Sequence, residues 1–359
     1  MKSTLIDKSV LKAIDSRFDG RLRPLYTAFM TAVGFPRLCL TALRVKHRVG
    51  YALSWRIKRL KVVTFPNMLS LACSLQQGGY VMEKILVVTG IRPRPFTPSS
   101  KADLIINWQD LTENLISTPS YVEASYRYTQ KGAANCWKDN LNFECVDISK
   151  TRIGQINRKV FGYDLDIDPT TYCGRAVSKS NNNATHDGRI VECPLSEDGR
   201  EFDAVYNVLV DNTDRFFAVD FRLIYIKGLV PFFYEKKRPT ASRFSNTNSS
   251  VALRRLEDEF SPDEISRIDQ FCKELGAEYG ELDVLRDANT RRIYVVDFAK
   301  TPAGPPNHLP KGLAAKAIEE MSVAFCKNVL APLCAGAKVL TSTPEIPALS
   351  VPQSSSQHI

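Results

Sequence analysis

With 359 residues, 44% of them hydrophobic and 24% charged, the chain is long enough for two or three packed units and too apolar for an intrinsically disordered polymer. No apolar run reaches the roughly 18 residues of a membrane span, and no apolar block followed by small residues opens the chain as a secretory signal would. Its nine cysteines include no C-x-x-C pair, which argues against a disulfide framework or a zinc site and for reduced thiols in a cytoplasm.

The net charge of +9 is concentrated at one end. Residues 1–62 hold fourteen Lys and Arg against three Asp, which leaves the remainder close to neutral. Residues 1 to about 80 read as a basic helical extension. In "YALSWRIKRLKVV", Leu53, Ile57 and Leu60 share one helical face, and Arg56, Lys58, Arg59 and Lys61 crowd the others. Such a helix either lies on an anionic surface or packs on the main body with its charges in water. Packing on the main body is the commoner outcome for a charged helix face, and a peripheral contact with anionic membrane through residues 40–62 is the alternative; nucleic acid is not the expected partner.

Residues 81–150 form a leading α/β region. "MEKILVVTG" (82–90) reads as a short apolar strand stopped by glycine, "RPRPFTPSS" as a Pro-rich loop, and "KADLIINW" as another strand. Strands then alternate with helical pieces, the pattern of α/β or α+β layers. In "YCGRAVSKSNNNATHDGRIVECPL" (172–195), a β-rich run ends at Lys179 and a polar loop leads to Gly188 and a second strand. A lysine at a strand end beside such a loop can reach a phosphate as a point charge, although the loop is not a P-loop. "VDFRLIYIKGLVPFFYEKKRPTASRF" (219–244) adds a hairpin with Arg222, followed by Lys236, Lys237, Arg238 and Arg243.

"SPDEISRIDQFCKELG" is a strongly marked helix. Ser261 is its N-cap, Pro262 its first residue, and Glu264 completes a capping box. Ile265, Ile268, Phe271, Cys272 and Leu275 form its buried stripe, and Gly276 ends it. The hairpin "ELDVLRDANTRRIYVVDFAKTPAG" (281–304) follows. Folded about Thr290, it sets Asp283 opposite Asp297 on one face. Two facing carboxylates need a cation. Magnesium with phosphate oxygens is one solution; a nearby Arg291 or Lys300 is another. "GLAAKAIEEMSVAFCKNVL" gives a further helix with Ala315, Ile318, Met321, Phe325 and Val329 inward. Residues 336–359, rich in Pro and Ser, read as a disordered tail.

The order of these pieces resembles the ATP-grasp superfamily of ATP-dependent ligases, from about residue 145 to 310. "RAVSKSNNNATHDG" is similar to the family's phosphate-binding lysine strand and mobile loop, and "VYNVLVDN" to its adenine hinge. "VDFRLIYI" resembles its arginine strand, and "GELDVLRD" and "VVDFAKTPAG" resemble its two metal-carrying strands. The resemblance implies an α+β fold in which two small mixed subdomains (151–335) sandwich ATP. It implies Lys179, with Lys159 as a second cation, on the phosphates. Asn207, Val208, Leu209 and Val210 would line the adenine and Asp211 would reach the ribose. Arg222 would neutralise phosphate charge, Arg238 and Arg243 would hold the γ-phosphate or an acidic substrate, and Asp283 and Asp297 would ligate Mg2+. The implied activity is ATP- and Mg2+-dependent activation of a small-molecule or peptide carboxylate as an acylphosphate, for attack by an amine or other nucleophile. Ala299 departs from the pattern, since the family usually carries a metal-binding asparagine there. An ATP-binding module without ligase activity is therefore one alternative; a membrane-surface or nucleic-acid binding protein acting through residues 1–62 is the other.

Overall fold

The computed structural model describes residues 39–65, 79–95, 102–113, 137–245 and 247–335. The expectations for residues 1–38, for 66–78 and for the tail from 336 onward lie outside the described residues.

Two helices come first, α1 (residues 39–49) and α2 (Tyr51–Ile57), with Gly50 at φ +93° turning the chain between them. Ile57 is buried, and Leu53 and Leu60 pack against the same core, as the stripe predicts. Strand β1 (Val62–Phe65) follows, so the helical expectation for residues 1–80 is corrected here. Its three β-branched residues, Val62, Val63 and Thr64, and Phe65 pair in parallel with two later strands and belong to a sheet.

The segment 82–90 is also corrected. It is helix α3 (Val81–Thr89), closed by Gly90 in the left-handed conformation. Val81, Met82, Ile85, Leu86 and Val88 are all buried. A helix buried on nearly every side has no polar face, and its apolar run cannot be told from a buried strand by periodicity. Strands β2 (Arg94–Pro95), β3 (Ala102–Asn107) and β4 (Trp137–Leu141) complete a parallel sheet in the order β2-β1-β3-β4.

Helix α4 (Lys150–Phe161) opens the second part, with Ser149 as its N-cap. Strands β5 (Gly174–Ser180), β6 (Arg189–Cys193) and β7 (Ala204–Val208) make an antiparallel sheet in the order β6-β5-β7. A larger sheet is built from β8 (Thr213–Asp214), β9 (Phe217–Ile226), β10 (Leu229–Pro239) and β11 (Ser250–Arg255). After helix α5 (Pro262–Glu274), β12 (Tyr279–Arg286) and β13 (Ile293–Ala299) finish it. Its order is β11-β10-β9-β12-β13, with β8 beside β9. Helix α6 (Lys311–Phe325) passes through a π turn at Cys326–Leu330 into α7 (Ala331–Cys334).

Strand periodicity divides the core. Phe221, Leu223 and Tyr225 of β9, with Leu282, Val284 and Phe298, face α4 and α5. Ile224 and Ile226 face the other way, onto α3 and α6. Asp220 and Arg222 occupy that same second face nearer the start of β9, so the face changes from apolar to charged along its length. That change positions the site.

Helix α5 forms as the sequence predicts, with both halves of the capping box and a buried Ile268, Phe271, Cys272 and Leu275. Replacing Ser261 by Ala should cost about 1 kcal/mol, read as a lower urea midpoint at unchanged slope.

Candidate functional site

Asp283 and Asp297 are direct cross-strand partners, as the hairpin predicts, with a bulge immediately after this pair. The loop between the strands is organised by Asp287, whose Oδ1 accepts from the Asn289 and Thr290 amides and from the Thr290 hydroxyl.

The cations that face the two aspartates are neither Arg291 nor Lys300. Arg222 stands beside Asp283 in the cross-strand register and donates Nε to Oδ1 and Nη2 to Oδ2, both at 2.9 Å. Lys236 of β10, itself buried, donates to Oδ1 at 2.8 Å. Burial alone would raise the Asp283 carboxyl, but Arg222 and Lys236 hold it far below the usual carboxylate range. The Lys236 ammonium is pushed down, first by burial and then by Arg222. Glu281, two residues earlier and 2% exposed, lies 3.6 Å from Arg222 with no hydrogen bond to either carboxylate oxygen. Burial pushes its carboxyl up to about 7.

Asp297 accepts at Oδ1 from the ammonium of Lys150 and from the Phe298 amide at 2.9 Å. Lys150 is a residue that the sequence reading missed. It is the first residue of α4, where a positive charge opposes the helix dipole and calls for an anionic partner. The "DISK" cap was the available signal; the partner, 147 residues away, was not visible.

Lys179 lies at the end of β5, half-buried. It donates one long bond of 3.4 Å to the Val296 carbonyl and has no ion-pair partner among the described residues. Burial, and next Lys150, lower its pKa to about 8. Asp166, also missed, sits behind it with a carboxyl raised by burial to about 6 and a 2.7 Å hydrogen bond from Asn207. The carboxylate fits only because residue 154 of α4 is glycine: a Cβ there would meet Asp166 Oδ2 at 1.9 Å.

A single cleft between the two antiparallel sheets brings together Lys150, Lys179, Asn207, Val208, Val210, Arg238, Arg243, Asp283 and Asp297. Arg238 donates to Asp220 Oδ2 at 2.6 Å and to the Arg243 and Ser245 carbonyls. Arg243 donates to the Val210 carbonyl at 2.9 Å and to Asn212 Oδ1 at 2.6 Å, which pins the segment after β7. Two buried polar atoms on this wall, Asn207 Oδ1 and Arg238 Nε, have no partner. The remaining predicted residues are elsewhere. Leu209 does not line the cleft. Asp211 ties its segment to the hairpin loop through the Asp287 carboxylate and the Ala288 amide. Arg222 is committed to Asp283. Lys159 is corrected: it stands at the far end of α4, 62% exposed, paired with Glu274 at 2.6 Å.

The loop after β5 closes the cleft. Asn181 accepts from the first two amides of α4, at 3.2 Å through its carbonyl and 3.0 Å through Oδ1. The Asn183 amide donates to Thr112 Oγ1 of the leading region at 2.7 Å. Ala184 and His186 have φ of +61° and +54°, a conformation that costs non-glycine residues energy. Gly188 lets the loop rest against Phe244, since a Cβ would meet that ring at 3.0 Å.

A magnesium ion held by the two aspartates does not fit this donor set. Both Asp283 oxygens serve Arg222 and Lys236, Asp297 Oδ1 serves Lys150, and the next residue on that face of β13 is Ala299. Among the described residues no group of three His, Cys, Asp or Glu side chains could hold a metal ion.

No protein-family model matches the chain, and no curated protein matches it. Solved structures are similar in fold. ATP-grasp ligase PsnB, complexed with a minimal precursor, is 12% identical with a TM-score of 0.43 over 72% of this chain and 98% of that one. Macrocyclase MdnC from Microcystis aeruginosa, bound with its precursor peptide MdnA, is 9% identical with a TM-score of 0.40 over 75% and 97%. D-alanine–D-alanine ligase from Bacillus anthracis is 11% identical with a TM-score of 0.39 over 75% and 98%. At these values the likeness concerns the path of the backbone, and no residue role is taken from it.

Replacing Asp283 by Ala strands Arg222 and the buried Lys236 and should cost about 3–5 kcal/mol in urea unfolding. Breaking the exposed Lys159–Glu274 pair with Lys159→Ala should cost about 1 kcal/mol or less.

Proposed function

We infer that the chain binds ATP in this cleft and uses it to activate a carboxylate for attack by an amine or other nucleophile, in the manner of an ATP-grasp ligase. The observation that carries the reading is the convergence of Lys150, Lys179, Arg238 and Arg243 on one cleft from α4, β5, β10 and the turn after β10. Four cations with one partnerless lysine among them suit a polyphosphate. Leu165, Val177, Val208, Val210, Leu285 and Val296 give the same cleft apolar walls for a base.

Phosphoryl transfer asks a protein chiefly for positioning and for charge neutralisation. Lys179 is suited to the second task, because its ammonium lies in the cleft and makes no ion pair among the described residues. Arg243 and Asn212 fix the segment from Val208 to Asp211, whose backbone would meet the base. Asn207 Oδ1 and Arg238 Nε offer one acceptor and one donor that the protein leaves unused. The loop over the cleft excludes water, which would otherwise hydrolyse an activated carboxylate. With the loop in place the cavity is about 190 Å³, below the roughly 300–1,000 Å³ of sites that enclose a small molecule. An enclosed nucleotide would need more room than this. A peptide or small-molecule carboxylate is the proposed acceptor of the phosphoryl group.

Calorimetric titration with ATP tests the reading. Binding should be lost in Lys179→Ala. Its pH dependence has a fixed sign. In the free cleft the Lys179 ammonium loses its proton near pH 8, and a bound anion favours the charged form. Affinity should be full below about pH 8 and fall by up to about tenfold per unit above it. Absence of ATP binding to folded protein would sink the proposal.

A second reading concerns α1 and α2. Tyr51 and Trp55 are 65% and 58% exposed, and Arg59 stacks on the Trp55 ring at 3.7 Å. Exposed aromatics among Arg56, Lys58 and Arg59 suit the interface of an anionic membrane. Among the described residues no helix is long and apolar enough to cross one. Co-sedimentation with anionic vesicles should be salt-sensitive and weakened by Trp55→Ala, with none on neutral vesicles; equal binding to both would refute the contact.

A further inference from the structure

In a site that takes a metal–nucleotide complex, facing carboxylates are available to the metal. Here three of their four oxygens are taken. Asp283 accepts three hydrogen bonds, from Arg222 Nε and Nη2 and from Lys236 Nζ. The Arg222 contact is bidentate, the strongest geometry available to a carboxylate and a guanidinium. Asp297 is held by Lys150 and by the Phe298 amide. To admit a divalent cation, Asp283 would have to release a buried lysine and a bidentate arginine, and both would be left beside the incoming positive charge. On β13 itself Asp297 has no second donor beside it, since Ala299 follows on the same face; its own Oδ2 is the one oxygen of the pair left uncommitted among the described residues. The cations are also built in from three directions: Arg222 on the neighbouring strand β9, Lys236 on β10, and Lys150 at the start of α4.

The charge facing the cleft is mixed: Asp187 and Asp220 line it beside the two aspartates, and Arg238 is paired with Asp220. Lys179 has no ion-pair partner among the described residues and lies among these carboxylates. A metal normally offsets the repulsion between phosphate oxygens and protein carboxylates. Where lysine and arginine already cover those carboxylates, a metal is not needed for that purpose.

We propose that the cleft takes the polyphosphate of its nucleotide without a divalent metal, because Lys150, Arg222 and Lys236 already cover the carboxylates that a metal would bridge to the phosphates. This rests on the reading of the cleft as an ATP site. It differs from the expectation of two aspartates on magnesium, and the difference is one of side-chain commitment.

The test uses the unaltered full chain. ATP is titrated by calorimetry in excess EDTA and again in excess magnesium, and magnesium chloride alone is titrated into the protein. The expected result is an affinity in EDTA equal to or tighter than that in magnesium, because magnesium in solution competes for the phosphates, and no saturable heat from magnesium alone. Affinity more than about tenfold tighter in magnesium would overturn the proposal and leave the ATP site standing. Saturable binding of magnesium alone that is lost in Asp297→Asn would also overturn it. Absence of ATP binding in both buffers would overturn the ATP site itself and this proposal with it.

Discussion

The structure depends on one row of charges. Across β12, β9 and β10, Asp283 lies beside Arg222, and Lys236 reaches the same carboxylate. Like charges in that row would force the strands apart, and an unpaired member would carry the full cost of desolvation. With the row satisfied, a β-sheet whose other face is an apolar core can keep a charged face toward a cleft. The bulge after Asp283 and the change from Ile224 to Arg222 along β9 both belong to this arrangement. They mark where the sheet stops being core and becomes a wall of the site.

The parts of the fold governed by local rules were legible in the sequence. The capping box at Ser261, the stripe on α5 and the pairing of Asp283 with Asp297 depend on residues within a few turns of one another or on one tight loop. The parts that failed are those decided at a distance. The segment 82–90 reads as a strand because a helix enclosed by α6 and by the parallel sheet keeps no polar face. Residues 62–65 were assigned to a helical extension because their partners, β2 and β3, come later in the chain.

The candidate site divides in the same way. Lys179, Arg238 and the two aspartates line the cleft, and residue type and position on a strand suffice to single them out. Lys159 is the expected second cation, whereas Lys150, on the same helix, is the one that lines the cleft. The difference is one of helix geometry: the first residue of α4 reaches Asp297, and the last turn faces α5 and water. Asp166 was invisible because the feature that seats it, a glycine within a helix, reads only as a weak point in a helical pattern.

The loop after β5 does more than cover the cleft. Asn181 supplies the acceptors that end α4, and Asn183 is tied to Thr112. Lifting the loop therefore strips the helix terminus that carries Lys150 and cuts a tie to the leading region. Loop, helix end and leading region are thus joined in one hydrogen-bonded run, which links Thr112, outside the cleft, to the helix start that carries Lys150 into it.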